Sequence, residues 1–328
     1  MSRFHSLLKV VGILLSAGTT TSCADSWRDL ATKLENTNQA KIRIFQLHDD
    51  KGHGMDCLDV FQPSGPARTG YFGVSHSLKK GIFSVHLTHS TDLRIWHHVK
   101  ELDQHASQAT IQEAVDGSFL LAYEKDAPNS CWMRLRHFSN LKALKAGRFS
   151  QEFDIPRTLA PTAEGTPSIE TVDIKKSDIS QSEITLRFHY YENARVDQLA
   201  RGTLKNFQDW NAKPSTTINS ALKKRGGHGN LGDRSKFQWK QKDYSLQEVQ
   251  DTRRDWSSWG LFLCDKDGLP LKKISVETPG KSTAFSNPSA SSIRNSDNEP
   301  LLVFTAFLHS KGSAPNEAGQ MLAVFEAK

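Results

Sequence analysis

Ser107-Gln108-Ala109-Thr110-Ile111, Gly165-Thr166-Pro167-Ser168-Ile169 and Ser286-Asn287-Pro288-Ser289-Ala290 are three versions of one strand opening. Gln108 and Thr166 lie 58 positions apart, and Thr166 and Asn287 lie 121 apart, close to two such steps. One step on from Thr166 falls near Gly227-His228-Gly229-Asn230-Leu231-Gly232-Asp233. One step back from Gln108 falls on Asp50, in His48-Asp49-Asp50-Lys51-Gly52-His53-Gly54. A strand-built repeat longer than about 50 residues indicates propeller blades, and five fit this length.

The interior of each repeat agrees. The turn Asp116-Gly117 feeds Phe119-Leu120-Leu121-Ala122-Tyr123, a second strand. Glu183–Tyr191 and Leu301–Phe307 take the same place in later repeats. Ser90-Thr91-Asp92-Leu93-Arg94-Ile95-Trp96 resembles the stretch from Gly202 to Trp210; both read as turns between third and fourth strands. The two Trp residues are expected to pack between blades. Short amphipathic helices are expected at Ser26–Leu34 and Thr217–Leu222. The expected fold is therefore all-β: a five-bladed β-propeller over 40–328, after a leader and a short helix or linker over 25–39. Lys41–Leu47 should close the ring against Gln320–Phe325, because closure hides the sheet edges of the last blade.

The leader is read from Arg3, His5 and Lys9, the apolar core Val10–Leu15, and Ser22-Cys23-Ala24. A basic start, a short apolar core and a small-residue cleavage site make a secretory signal over 1–24. The core is too short to span a bilayer. Export is expected, with cleavage after Ala24; lipidation of Cys23 is the alternative. The formal charge is +6, and removal of Arg3 and Lys9 with the leader leaves +4. Such a mildly basic surface is no nucleic-acid footprint, and a monomer is expected. Cys57, Cys131 and Cys264 are too far apart for a zinc pattern, and buried thiols are expected.

In a propeller the innermost strands all start at one mouth of the channel. Groups there converge although they lie some 60 residues apart in sequence. The candidates are Asp49, Asp50, His53 and Asp56, then Gln108, then Glu164, Thr166 and Glu170. The fourth repeat adds His228, Asn230, Asp233 and Arg234, and the fifth adds Asn287. Ends of second strands add Glu124, Asp126, His189, Tyr190 and Glu192. Carboxylates and amides grip hydroxyls, and aromatic faces stack on sugar rings. Trp239, Trp256 and Trp259 read first as packing residues and second as a stacking platform. Glu248 and Gln250, and Glu317 and Gln320, read as polar contacts between blades.

The turn at 90–96, the Asp116-Gly117 hairpin and Glu164-Gly165-Thr166-Pro167 together resemble the five-bladed glycoside hydrolases. That is the arabinanase, levansucrase and invertase group, which includes families 43 and 32. The likeness runs from about residue 40 to 328. It implies three acids, one at the start of each of the first three blades. Glu164 matches the glutamate that acts as general acid, with Thr166 inserted before Pro167. Asp50 fits the spacing for the first aspartate, and Asp56 fits the onset of the strand Cys57–Phe61. Gln108 stands where the second blade would carry an aspartate. The expectation is a secreted glycosidase with Glu164 and Asp50 or Asp56 as its paired carboxyls and a glycan as substrate. The alternative is a carbohydrate-binding propeller with an incomplete acid set. No cofactor and no metal ligand set are expected. Members of the resembled group hold an ion in the central channel, but no ligand spacing here identifies one.

Overall fold

The computed structural model describes residues 23–64, 70–193 and 195–327. The leader expected over 1–24 lies almost wholly outside them; Cys23 and Ala24 open the helix Cys23–Glu35. Five four-stranded antiparallel sheets follow in ring order. Blade I is Asp56–Phe61, Tyr71–Lys79, Ile82–Ser90 and His97–Gln104. Blade II is Ala106–Glu113, Phe119–Ala127, Ser130–Phe138 and Gln151–Asp154. Blade III is Glu164–Ile174, Ser182–Glu192, Val196–Lys205 and Asp209–Pro214. Blade IV is Leu231–Trp239, Lys242–Gln250, Trp259–Cys264 and Pro270–Ile274. Blade V is Phe285–Arg294, Pro300–Leu308 and Gly319–Glu326, completed by the N-terminal strand Ile42–Ile44. Ile42 pairs with Val324 and Ile44 with Leu322, so the ring closes through the segments expected to close it.

Each seam between blades holds one apolar layer, since alternate strand residues face neighbouring sheets. Val60, Trp96, Ile293 and Val303 fill the seam between blades V and I. Phe72, Val85, Leu121 and Tyr123 fill the next. Leu120, Met133, Leu186 and Phe188 join II to III, and Leu199, Leu231 and Phe262 join III to IV. The largest layer joins IV to V and takes in Leu30, Ala31 and Leu34 of the first helix. The second expected helix forms over Thr216–Lys223 and buries Leu222 in the III–IV seam.

Both repeated turns sit where expected, between third and fourth strands. Trp96 is 1% exposed beside Leu58 and blade V residues. Trp210 lies flat over Gly202, where a Cβ would come within 2.1 Å of its ring. That closeness requires glycine at 202. Two positions of the repeat differ from expectation. The first inner strand begins at Asp56, so the residue matching Gln108 is Cys57 rather than Asp50. The fourth begins at Leu231, and Gly227–Asn230 form its approach loop. The repeat is uneven because strands, outer turns and connections all differ in length from blade to blade.

Candidate active site

All five inner strands bulge just after their start. The register skips between Asp56 and Asp59, Ser107 and Thr110, Gly165 and Ser168, Asp233 and Ser235, and Ser286 and Ser289. At four bulges the backbone is left-handed: Cys57 at φ 55°, Gln108 at 56°, Thr166 at 48° and Asn287 at 47°. None is glycine, and Thr is β-branched, so the conformation is strained and must be held from outside. The preceding blade does this. Gln320 Oε1 accepts from Cys57 N at 2.8 Å and His76 Nδ1 from Gln108 N at 3.2 Å. Glu124 Oε2 accepts from Thr166 N at 3.0 Å, and Glu248 Oε2 accepts from Asn287 N. Glu248 and Gln320 thus bridge blades, as their sequence context suggested. Gly165 and Gly232 lack side chains for the same reason: a Cβ would sit 1.8 Å from Glu124 Oε2 or 2.3 Å from Glu248 Oε1.

One step below the bulges a ring of small polar groups faces the axis: Asp59, Thr110, Ser168, Ser235 and Ser289. Asp59 Oδ2 accepts from Thr110 Oγ1 and Ile111 N, both at 3.1 Å, and Oδ1 accepts from Ser289 Oγ at 2.9 Å. One carboxylate therefore ties blades I, II and V together.

Asp56 stands at the start of the first inner strand, opposite His76. Burial raises its carboxyl to about 6, with His48 pulling weakly the other way. Gln108, at the matching place in blade II, is half-buried, and its enclosed Oε1 has no hydrogen-bond partner among the described residues. Thr166 and Asn287 occupy the same place in blades III and V. Asp233 and Arg234 lie in the bulge of the fourth inner strand. His189 is in register with Gly165, and its Nε2 lies 3.9 Å from Asp197 Oδ1. These residues share the strand-start mouth.

The other candidates lie elsewhere. Asp50 is on the outside of blade I, where it accepts from His97 Nδ1 at 3.0 Å and His98 N at 2.8 Å. An outer-strand contact of this kind takes it away from the channel. Glu164 is 0% exposed. Its Oε1 accepts from the backbone N–H groups of Thr158, Leu159 and Ala160 at 2.7, 2.5 and 3.0 Å. It holds the connection between blades II and III, and a carboxyl with no accessible surface cannot meet a substrate in this arrangement. Glu170 points to the opposite end of the channel and pairs with Arg187 and Arg201 at 3.0 and 2.5 Å. His228 is exposed on the approach loop. Asn230 Oδ1 accepts from Asp197 N at 3.1 Å, across the III–IV seam.

Asn230 also lines a 190 Å³ cavity at the rim with Tyr191, Gln250, Arg253, Arg254 and Trp256. Trp256 is 56% exposed, whereas Trp239 and Trp259 are buried packing residues. Of these three Trp residues Trp256 is the exposed one, its ring lying 5.1 Å from that of His309. A cavity of about 830 Å³ opens at the other end of the channel, lined by Asp59, Thr110, Gln112, Ser168, Lys236 and Ser291. It is larger than the rim cavity, but strained backbone, a perturbed carboxyl and an orphaned acceptor all gather at the strand-start mouth. Perturbed groups mark functional sites better than volume does. Cys57, Cys131 and Cys264 form no disulfide among the described residues, with Cys57 and Cys264 buried and Cys131 half-buried. No helix among these residues is long and apolar enough to cross a membrane.

No protein-family model matches the chain, and no curated protein matches it. Solved structures do. A thermostable family-43 glycoside hydrolase is 12% identical over 88% of this chain and 90% of its own, with a TM-score of 0.50. The GH43 protein BlXynB from Bacillus licheniformis is 11% identical over 87% of this chain, with a TM-score of 0.53. This chain spans 54% of that protein's length. At such identity the likeness establishes a shared five-bladed fold.

Proposed function

We propose that the protein is a glycan-cleaving hydrolase that works at the strand-start mouth. Asp56 carries this reading. A carboxyl that titrates near 6 at a channel mouth gives and takes protons close to neutral pH. Fold alone fixes no function, so the argument rests on the groups at that mouth.

Glycosidic cleavage uses two carboxyl groups, one protonated and one charged. Asp56 takes the proton-donor role that sequence reasoning gave to Glu164. Glu124, half-buried and anchored by Thr166 N, is the second carboxylate. Asp56 protonates the leaving oxygen as the C–O bond breaks. Glu124 takes the proton of an attacking water, or attacks the anomeric carbon itself, according to the separation of the two groups. Trp256 stacks on a ring at the rim. The protein acts outside the cytoplasm, on the strength of the leader read over 1–24; the mass of the exported chain tests cleavage after Ala24 against lipidated Cys23.

A panel of plant and microbial oligosaccharides tests the reading. Turnover by the wild type, lost in Asp56→Asn with binding retained, supports hydrolysis. Binding without turnover moves the reading to a carbohydrate-binding propeller, which neutral Gln108 and enclosed Glu164 favour. Neither binding nor turnover removes both.

A further inference from the structure

The chain crosses from the closing strand Ile42–Ile44 to the first inner strand through residues 45–55. His53 on this crossing lies against His86 and His98, from the third and fourth strands of blade I. One ring nitrogen from each comes within 4.8 Å of the others. His86 is 4% exposed, and the other two are half-buried. His86 Nδ1 and His98 Nε2 are 3.2 Å apart. Two nitrogens bound tetrahedrally to zinc at about 2.0–2.1 Å stand roughly 3.3 Å apart.

Two of the three outer nitrogens are already held as ligating histidines need. His53 Nδ1 lies 2.8 Å from Asp49 Oδ2, and His86 Nε2 lies 2.9 Å from Ser77 Oγ. Asp49 is itself locked by the N–H groups of Lys51 and His53, each 2.9 Å from Oδ1. The carboxylate behind His53 and the hydroxyl behind His86 fix those two tautomers and turn the other nitrogens inward.

We propose that His53 Nε2, His86 Nδ1 and His98 Nε2 bind a zinc ion that staples the ring-closing crossing to blade I. Imidazole donors in a three-ligand set suit zinc, with water in the fourth position. The site is separate from the channel mouth and does not depend on the hydrolase reading. Two local changes accompany binding. The His53 and His86 rings, stacked at 4.8 Å and 14°, rotate so that both planes contain the ion. The ammonium of Lys51, 3.1 Å from His98 Nδ1, swings into solvent, and the His98 proton moves to Nδ1. Lys51 is exposed, so this motion meets no packing.

The test is titration of the chelator-stripped full chain with zinc chloride, followed by calorimetry and thermal melting. One equivalent should bind, and a hundredfold excess over Kd should raise Tm by about 5 °C. His86→Ala and His98→Gln should weaken binding by about 100-fold or more, and Asp49→Asn by about 10–100-fold. Lys51→Ala should tighten it, because it removes a competing charge. Cobalt should give the intense visible spectrum of a tetrahedral site, lost in His98→Gln. His86 is buried and its variant risks misfolding; half-exposed His98 keeps the test decisive. No zinc binding by the wild type overturns the proposal. So does equal binding by the wild type and a folded His98→Gln variant.

Discussion

The two ends of the channel are made by the same five strands. At the strand-start end, left-handed residues interrupt four of the five ladders and side chains from the preceding blade hold them. At the far end the ladders run regularly apart from a second bulge between Ile169 and Thr171, and serine, threonine and apolar residues line about 830 Å³ of space together with Asp59, Glu113, Glu170, Lys236 and Asp243. Two acids that line the larger space are tied down: Glu170 by Arg187 and Arg201, and Asp59 by Thr110 and Ser289. The strained end spends stability on its arrangement, as sites that bind or react commonly do.

The largest expected effect separates the ends by activity. Asp56→Asn should lower kcat on a natural glycan by about 10² to 10⁴. Gln112→Trp, which partly fills the far cavity, should leave kcat within about twofold of the wild type. Loss of turnover in Gln112→Trp with an active Asp56→Asn would place the chemistry at the wrong end of the comparison above.

Between the ends, Asp59 should dominate stability. Asp59→Ala leaves Thr110 Oγ1, Ile111 N and Ser289 Oγ without their acceptor and should cost about 3 kcal/mol in urea unfolding. A cost under about 1 kcal/mol would mean that the ring is not tied at its axis.

Asp56 should also show in the pH dependence of stability. Its folded pKa, about 6, lies above the ordinary 3.8, so the folded state binds this proton more tightly than the unfolded chain. Its contribution is present in full below about pH 4 and is lost as pH rises to about 6. Asp56→Asn escapes that loss and should be about 2 kcal/mol more stable than the wild type at pH 7. Melting curves of both at pH 4 to 7 check this; parallel profiles would show that Asp56 titrates normally.

The smallest effect concerns strain. Thr166→Gly allows the left-handed backbone at φ 48° without a Cβ clash and should stabilise by about 1 kcal/mol. Destabilisation instead would mean that the Thr166 side chain contributes more than its backbone costs.

The strand openings at 107, 165 and 286 were legible because a small-polar start followed by an apolar run is local chemistry repeated in every blade. Composition, turn residues and alternation likewise sufficed for five blades, the closing strand and both Trp turns. The site was less legible. Asp56 stood out only as a strand onset, and Asp50 looked equal to it by spacing. Burial, which separates them, is a property of neighbours supplied by other blades. Glu164 matched a short motif, yet its carboxylate turns to the backbone at 158–160, a choice made by the path of a connecting loop. His53, His86 and His98 share no motif, since a cross-strand pair and a crossing segment bring them together. Sequence by itself determined which residues form strands and in what order the blades follow, because those depend on local periodicity. Tertiary structure alone decided which acids are desolvated, which are held by backbone N–H groups and which histidines meet, because those depend on distances across the ring.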